Sequence, residues 1–295
     1  MARNTKILAA AALLSLFATT STGWAGSVTQ PGETIGVPVG APLPQGVYFV
    51  DTGDWGCRNT SPATSCLGVD IPLLAWSTPW TILGARLQFL VATPFLEAGV
   101  ENTSYQSSFY NPFFGGQLAW DLGNGFGVSY LLGGYAGVDT TLGWSSGSLN
   151  QRFAVSYTGN GWDLTAHVIY GYQFDHVTDS PQVSPCPSPF ALNGCNPNFV
   201  NLDLTATKKF GKWEIGPVAF GSWDVSSPIA GYLEQSQFAI GGLVGYDFGP
   251  VILQAYVTTD VYEKNYGGYD TRGWARVIIP LWTPAAPTPP LIRKD

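Results

Sequence analysis

Charge is the scarcest feature of this 295-residue sequence, because only 11% of its residues are Asp, Glu, Lys or Arg. A soluble globular domain normally has about 25% charged residues, so this chain lacks the usual polar covering. Long apolar runs are missing as well, and no stretch of the mature chain provides the roughly 18 apolar residues of a membrane-spanning helix. Disorder is disfavoured by the 45% of hydrophobic and 14% of aromatic residues, which can bury a core. These absences leave a large β-protein, either in lipid or secreted.

The first 25 residues have the features of an export signal. Arg3 and Lys6 precede an apolar stretch over residues 7–18, and small residues follow up to Ala25. We expect cleavage after Ala25 and exclude residues 1–25 from the fold. Removing these 25 residues leaves 11 basic and 20 acidic side chains, a net charge of −9. A chain this acidic is not expected to bind nucleic acid.

The four cysteines fall into two pairs, Cys57 with Cys66 and Cys186 with Cys195, with eight residues between the members of each pair. Short loops are the easiest to close, so we expect disulfides 57–66 and 186–195 in an oxidising compartment. The alternative is a metal site built from all four cysteines, which usually requires C-x2-C spacing that is absent here. We therefore expect no metal and no cofactor.

From Gly46 onward, segments of about ten residues alternate between apolar and polar side chains. A strand with one apolar and one polar face suits a wall between lipid and a wet interior. The pattern predicts twelve strands, at 44–53, 71–80, 82–93, 112–122, 125–137, 149–159, 161–173, 199–210, 212–223, 236–248, 250–261 and 270–282.

Short and long connections between these strands alternate strictly. The tight ones lie near Trp80-Thr81, Gly123-Asn124, Asn160-Gly161, Gly211 and Gly249-Pro250. The longer ones span 54–70, 94–111, 138–148, 174–198, 224–235 and 262–269, and contain both cysteine pairs. This asymmetry predicts an all-β fold, an antiparallel transmembrane barrel of about twelve strands over residues 46–282. We place it in the outer membrane of a Gram-negative bacterium, with the short turns and both termini in the periplasm.

Aromatic residues recur near the strand ends. In a barrel they form girdles at the two lipid interfaces, and sugar-stacking platforms are the alternative. They are Tyr48, Trp76, Trp80, Trp120, Trp162, Trp213, Trp223, Trp274 and Trp282. The aromatic end of the last strand is the kind of signal that the barrel assembly machinery reads. Residues 283–295 are a Pro-rich tail that we expect to be disordered.

The Gly/Pro-rich segment 26–45 lacks alternation, and two interpretations of it remain open. It is either a slack periplasmic leader or a plug that enters the barrel lumen.

Several segments carry a resemblance to a known family. They are Pro44-Gln45-Gly46-Val47-Tyr48-Phe49, Asn111-Pro112-Phe113-Phe114 with Leu118-Ala119-Trp120, Gly161-Trp162-Asp163-Leu164-Thr165-Ala166 with Tyr170-Gly171-Tyr172, Ile215-Gly216-Pro217-Val218, and Gly273-Trp274-Ala275-Arg276 to Trp282. The chain resembles the meta-pathway phenol degradation family of outer-membrane proteins, often associated with catabolism of aromatic compounds. Where that family has an Asn-Arg pair before its last strand, this chain has Lys264-Asn265-Tyr266. The resemblance implies an outer-membrane barrel through which small hydrophobic or aromatic molecules pass.

The alternation also predicts which polar side chains face the lumen. We take nine as candidate substrate-binding residues: Arg86, Gln117, Arg152, Asp163, His167, Asp203, Gln254, Arg272 and Arg276. Gln88, Asn201, Lys209 and Asp260 share the inward parity. Opposed arginines and carboxylates can orient a dipolar solute in the narrow pore of a twelve-stranded barrel. Alternatively, these side chains pair with one another and fill the lumen.

An apolar solute can also leave a barrel sideways, through a break in the wall. Proline and glycine within strands supply such breaks. Gly216 and Pro217 are the leading candidate, ahead of Gly115-Gly116 and Gly133-Gly134. Ordinary bending of the strands is the alternative explanation for these residues.

An enzyme is not expected, since nucleophilic catalysis needs a histidine beside a serine and an orienting group. His167 has no serine at adjacent positions on its own face, and His176 points away from Asp175 on an extended strand. The sequence therefore predicts a channel for uptake of small hydrophobic or aromatic molecules, with outer-membrane lipid as its surroundings. A generic narrow porin for polar solutes, or a purely structural barrel, is the alternative.

Overall fold

The computed structural model describes residues 27–143, 146–174, 196–227 and 232–284. These residues form a short 3-10 turn at Gly159–Gly161 and fourteen β-strands. The strands are Gly46–Arg58 (β1), Ser65–Ile82 (β2), Ala85–Ala92 (β3), Phe95–Val100 (β4), Ser104–Phe109 (β5), Phe113–Gly123 (β6), Phe126–Tyr135 (β7), Ser148–Tyr157 (β8), Trp162–Gln173 (β9), Phe199–Phe210 (β10), Trp213–Asp224 (β11), Ser236–Asp247 (β12), Ile252–Lys264 (β13) and Asp270–Trp282 (β14). No helix within these ranges is long and apolar enough to cross a membrane.

The strands close into one antiparallel barrel, because β1 pairs with both β14 and β2. β3 and β4 follow one another along β2 and form a single wall strand, interrupted at Thr93-Pro94. β5 and β6 continue each other in the same way across residues 110–112. The wall thus has twelve strands, and the prediction of a twelve-stranded antiparallel barrel is confirmed. Closure leaves no free sheet edges between the first and last strands.

Short connections gather at one end of the barrel, here called the turn end, and long ones at the other, the loop end. The first tight turn is formed by Leu83 and Gly84, both with positive φ. The expected position near Trp80-Thr81 is wrong by a few residues, because the pairing of β2 with β3 shifts register between Ser77 and Thr81. At this irregularity the alternation is lost locally, since the consecutive residues Ser77 and Thr78 are both buried.

The hairpin of β4 and β5 occupies a stretch that the sequence indicated as a loop, 94–111. β4 pairs with residues 65–70 of β2, and β5 pairs with β4. Their side chains lack a continuous apolar face, so strand pairing rather than lipid contact determines this hairpin. The barrel wall therefore extends further toward the loop end than the alternation predicted.

The two faces of the wall differ in polarity. Inward side chains such as Asn150, Asp203 and Thr258 are at most 2% exposed, whereas outward Phe153 and Val257 are 51% and 57% exposed. This division matches an apolar surface toward lipid and a polar interior. Two of the predicted girdle residues, Tyr48 and Trp274, have inward parity and are buried instead. The prediction gave the right position along the strands, but it placed these two side chains on the lipid face, whereas they lie on the inner face.

Cys57 and Cys66 form a disulfide, as predicted, but across β1 and β2 rather than within a loop. β1 continues to Arg58 because Arg58 pairs with Asp260 inside the barrel, which the predicted end at residue 53 did not anticipate. Cys186 and Cys195 lie outside the described residues.

The disulfide gives the first testable prediction. Replacing both Cys57 and Cys66 with Ser should lower the free energy of unfolding by about 2 to 3 kcal/mol, since the bond closes a short loop. Urea unfolding in liposomes measures this, in a Cys186→Ser, Cys195→Ser background that removes the second predicted disulfide from both proteins. An unchanged midpoint on loss of Cys57 and Cys66 would show that the bond adds no stability.

Candidate functional site

Residues 27–43, here called the inner segment, run inside the barrel and bond to its inner wall. The most concentrated contact is the carboxylate of Asp203 on β10. It accepts hydrogen bonds from the Gly32 backbone N–H at 2.8 Å, the Thr34 N–H at 3.0 Å and the Thr34 hydroxyl at 2.7 Å. Nδ1 of His167 lies 2.8 Å from the same hydroxyl. One turn of the inner segment is thus held by two side chains that the sequence placed in the lumen.

Arginines on β8 and β14 hold the same turn. Arg152 pairs with Glu33 at 2.6 Å, and both side chains are at least nine-tenths buried. Arg276 donates to the backbone carbonyls of Glu33 and Ile35. These contacts link the inner segment to several strands at once. Releasing the segment would leave the buried charge of Arg152 without its partner, which is energetically costly.

Ile35 supplies the apolar part of the attachment. Its side chain is fully buried in a cluster formed by Val218, Phe220, Ala239, Leu243, Tyr256 and Trp274. The flanking Gly32 and Gly36 have φ values of +91° and +77°, which side chains rarely adopt. A Cβ atom at Gly36 would also lie 2.5 Å from Leu243. The glycines therefore allow a turn tight enough to place Ile35 against the wall.

The rest of the inner segment continues toward the turn end through backbone bonds to the wall. The Gly36 N–H donates to the Thr205 hydroxyl and the Gly40 N–H to the Ser156 hydroxyl. In the other direction, the amide of Gln254 donates to the Gly36 carbonyl at 2.7 Å. Ser129 and Gln117 donate to the Val39 carbonyl. Polar groups of a segment without secondary structure are satisfied in this way inside the barrel.

A separate network of charges lies near the loop end. Arg272 pairs with Asp54 and Asp270, and Arg58 pairs with Asp260 at 2.9 Å. The guanidinium of Arg58 also lies 4.3 Å from the centre of the Tyr266 ring. Burial raises the pKa of the Tyr266 phenol in its loop between β13 and β14.

An apolar cluster lines another part of the inner wall. It joins Val28 of the inner segment to residues of β2, β3, β6, β7, β9 and β10 and to Tyr110, which lies between β5 and β6. Its other buried members are Val69, Ile71, Ala92, Phe113, Leu131, Tyr135, Ile169 and Phe199. The inner segment is therefore held by polar contacts and by two apolar regions of the inner wall, one around Ile35 and one around Val28.

The structure buries most of the predicted lumen-facing residues. Gln117, Arg152, Asp163, His167, Asp203, Gln254, Arg272 and Arg276 are all less than 9% exposed. Gln88, Asn201 and Asp260 are also buried. Arg86 is only half-buried at the turn end, where it donates to the Thr78 carbonyl, and Lys209 is exposed there.

Seven of these residues contact the inner segment: Gln117, Arg152, His167, Asn201, Asp203, Gln254 and Arg276. Their partners Glu33 and Thr34 were not among the sequence candidates, because without alternation the segment fitted a leader as well as a plug. Asp54 and Arg58 were missed as well, although both share the parity of the buried Thr52. Extending the alternation of β1 beyond residue 53 would have identified them.

Gly216 and Pro217 lie in β11, where the pairing with β12 continues through both residues but the pairing with β10 is interrupted. A Cβ atom at Gly216 would lie 2.2 Å from the Ala206 carbonyl oxygen of β10, so the two backbones approach closely. Among the described residues, no group of three or more His, Cys, Asp or Glu side chains could hold a metal ion.

Comparison with solved structures shows the fold. A crystal structure of an outer membrane channel from Pseudomonas putida F1 superposes with a TM-score of 0.64 at 12% identity, covering 81% of this chain and 97% of that one. The β-domain of the Bordetella autotransporter BrkA gives 0.50 at 13% identity, with 79% and 98% coverage. No curated protein sequence matches the chain.

A sequence profile gives the family. The profile of the family described as "Putative MetA-pathway of phenol degradation" matches residues 48–277, from the first strand of the barrel into the last. The twelve-stranded outer-membrane barrel and this match over most of the chain lead to one conclusion: the protein belongs to that phenol-degradation family of outer-membrane proteins.

Proposed function

We propose that this protein takes up small hydrophobic or aromatic molecules through the outer membrane and releases them sideways into the bilayer. The single observation that supports this most strongly is the inner segment. Its Glu33, Thr34 and Ile35 bond to several strands, so a solute moving along the axis meets a fixed obstacle. The apolar cluster beside it offers a surface to an apolar solute.

In this proposal the inner segment is a plug, and the seven predicted wall residues that contact it act on the solute indirectly. They keep the axis closed to polar molecules by holding the plug in place. The turn end faces the periplasm, with the end of β14, and the loop end faces the outside, as in other barrels with short turns and long loops. The predicted periplasmic position of the N-terminus differs from the structure, in which Ser27 lies inside the barrel against Asn201 of β10.

Solute influx distinguishes this function from that of a narrow porin. Proteoliposomes with lipopolysaccharide in the outer leaflet should admit labelled toluene faster than protein-free liposomes, and should admit arabinose no faster. An empty-liposome series and a heat-denatured preparation are the controls. Faster entry of arabinose than of toluene would contradict the proposal and favour a porin.

A further inference from the structure

Three prolines interrupt neighbouring strand pairs of the wall side by side. The carbonyl of Pro72 in β2 accepts from the Thr93 N–H at 3.2 Å. The carbonyl of Pro94, between β3 and β4, accepts from the Tyr110 N–H at 2.8 Å, and that of Pro112, before β6, accepts from the Ala136 N–H at 2.9 Å. Each contact thus links one wall strand to the next.

In a hydrogen-bonded antiparallel pair, the two residues exchange two bonds. Proline has no N–H, so each of these three pairs has one bond where the rest of the ladder has two. Regular pairing resumes on both sides, at Leu73 with Ala92 and at Asp70 with Phe95. We call this row the proline line, and it crosses three consecutive strand interfaces.

On the loop side of the proline line, the wall is held together by few hydrogen bonds between neighbouring strands. Within the described ranges, β5 pairs with β4 and with no other strand. Its other side is covered by residues 136–142, through the Thr140 hydroxyl donating to the Phe109 carbonyl and the Leu142 N–H donating to the Ser108 hydroxyl. Two such bonds hold less firmly than a ladder of equal length.

The inner side of the proline line is apolar. Ile71, Ala92, Tyr110, Phe113 and Tyr135 are all buried there and belong to the apolar cluster that contacts Val28 of the plug. An apolar solute that leaves the plug along this surface arrives at the row of missing hydrogen bonds.

The outer side of the line has carboxylates where a lipid-facing wall normally has none. Asp51 and Asp70 alternate with the buried Thr52 and Ile71, so both point outward. Asp51 lies opposite Pro72, and Asp70 lies opposite Phe95. Charged groups on a lipid face are destabilising unless water reaches them, so the outer surface at the line is a place where the lipid seal is imperfect.

We propose that the sideways exit lies along the proline line, between β2 and β7. The proposal rests on the proposed function above and specifies its route. It differs from the sequence candidate at Gly216-Pro217, where only the pairing of β11 with β10 is interrupted and the pairing with β12 is continuous. The exit opens when the one remaining hydrogen bond at each of Pro72, Pro94 and Pro112 breaks.

Restoring the missing donors tests the proposal. Pro72→Val, Pro94→Val and Pro112→Val are made singly and together, and Pro217→Val is the matched control from the opposite wall. Toluene influx into lipopolysaccharide-containing proteoliposomes is measured for each, and heat-modifiable gel migration shows that each variant is a folded barrel. We expect toluene influx to fall at least about fivefold in the triple variant, since each valine can return the bond that proline cannot. The Pro217→Val control should stay within about twofold of wild type, since at Pro217 one strand pair is interrupted whereas the proline line crosses three.

Each other outcome has a definite meaning. Unchanged toluene influx in folded single and triple variants would overturn the proline line as the exit. Loss of influx in Pro217→Val alone would also overturn it and place the exit at Gly216-Pro217. If wild type admits arabinose faster than toluene, the proposed function itself fails, independently of these variants. Should the triple variant not fold, the single variants decide by the same criterion.

Discussion

Deletion of residues 27–43 should convert the barrel into an open polar channel, with arabinose influx rising by about tenfold or more. The lumen of a twelve-stranded barrel is wider than that of an eight-stranded barrel, which side chains fill, and narrower than that of a larger porin. Here the inner segment occupies this space, and its polar contacts on the wall would be replaced by water. The released wall groups, including Asp203 and Arg152, remain compatible with a wet lumen because each is polar. Labelled arabinose influx into proteoliposomes measures the change.

A control variant distinguishes the effect of the plug's contacts with the wall from the effect of having any chain inside the barrel. Replacing residues 27–43 with a Gly/Ser sequence of equal length keeps the chain but removes Glu33, Thr34 and Ile35. This variant should admit arabinose at a rate between those of wild type and the deletion. An arabinose rate in the deletion equal to that of wild type would mean that the inner segment does not close the axis.

Asp203→Ala should release the plug with the rest of the chain intact. The substitution removes the acceptor of three hydrogen bonds and leaves their donors inside the barrel, at a cost of roughly 1 to 3 kcal/mol for each unsatisfied group. A total loss of about 3 kcal/mol raises the released population by about a hundredfold. Hydrogen exchange at the Gly32 and Thr34 amides, both bonded to Asp203, should accelerate accordingly.

Asp163→Ala is the matched control for that experiment. Asp163 is another buried inward carboxylate, but its side chain accepts from Thr165 of the same strand and not from the plug. Exchange at Gly32 and Thr34 should therefore stay at the wild-type rate. Equal acceleration in both variants would indicate a general loosening of the barrel rather than a specific attachment through Asp203.

Alternation along the strands was enough to predict the barrel and the inward parity of residues such as His167 and Asp203. The inner segment was harder, because its contacts are made by backbone groups of a stretch with no periodicity. Glycines at positions 32 and 36 are compatible with a slack leader as well as with a tight turn. Only the three-dimensional register places Thr34 against Asp203, far away in the sequence.

The proline line could not be predicted for a similar reason. Pro94 and Pro112 flank a stretch without apolar alternation, so the sequence indicated a loop there rather than a hairpin. Pro72 was within a predicted strand, where a single proline is tolerated at an irregular position. That all three lie in one row follows from the pairing of β2 with β3 and β4, and of β3 with β6.

The most direct test of the account is toluene influx with the plug locked in place. Thr29 and Asn150 touch through their side chains at 3.1 Å, so Thr29→Cys and Asn150→Cys can be joined by a short thiol-reactive linker in a Cys186→Ser, Cys195→Ser background. If the axis is closed and the exit lies in the wall, the linked protein should still admit toluene at the wild-type rate and exclude arabinose. Loss of toluene influx on linking, with full influx in the unlinked double variant, would show that solutes pass along the axis and would contradict the account.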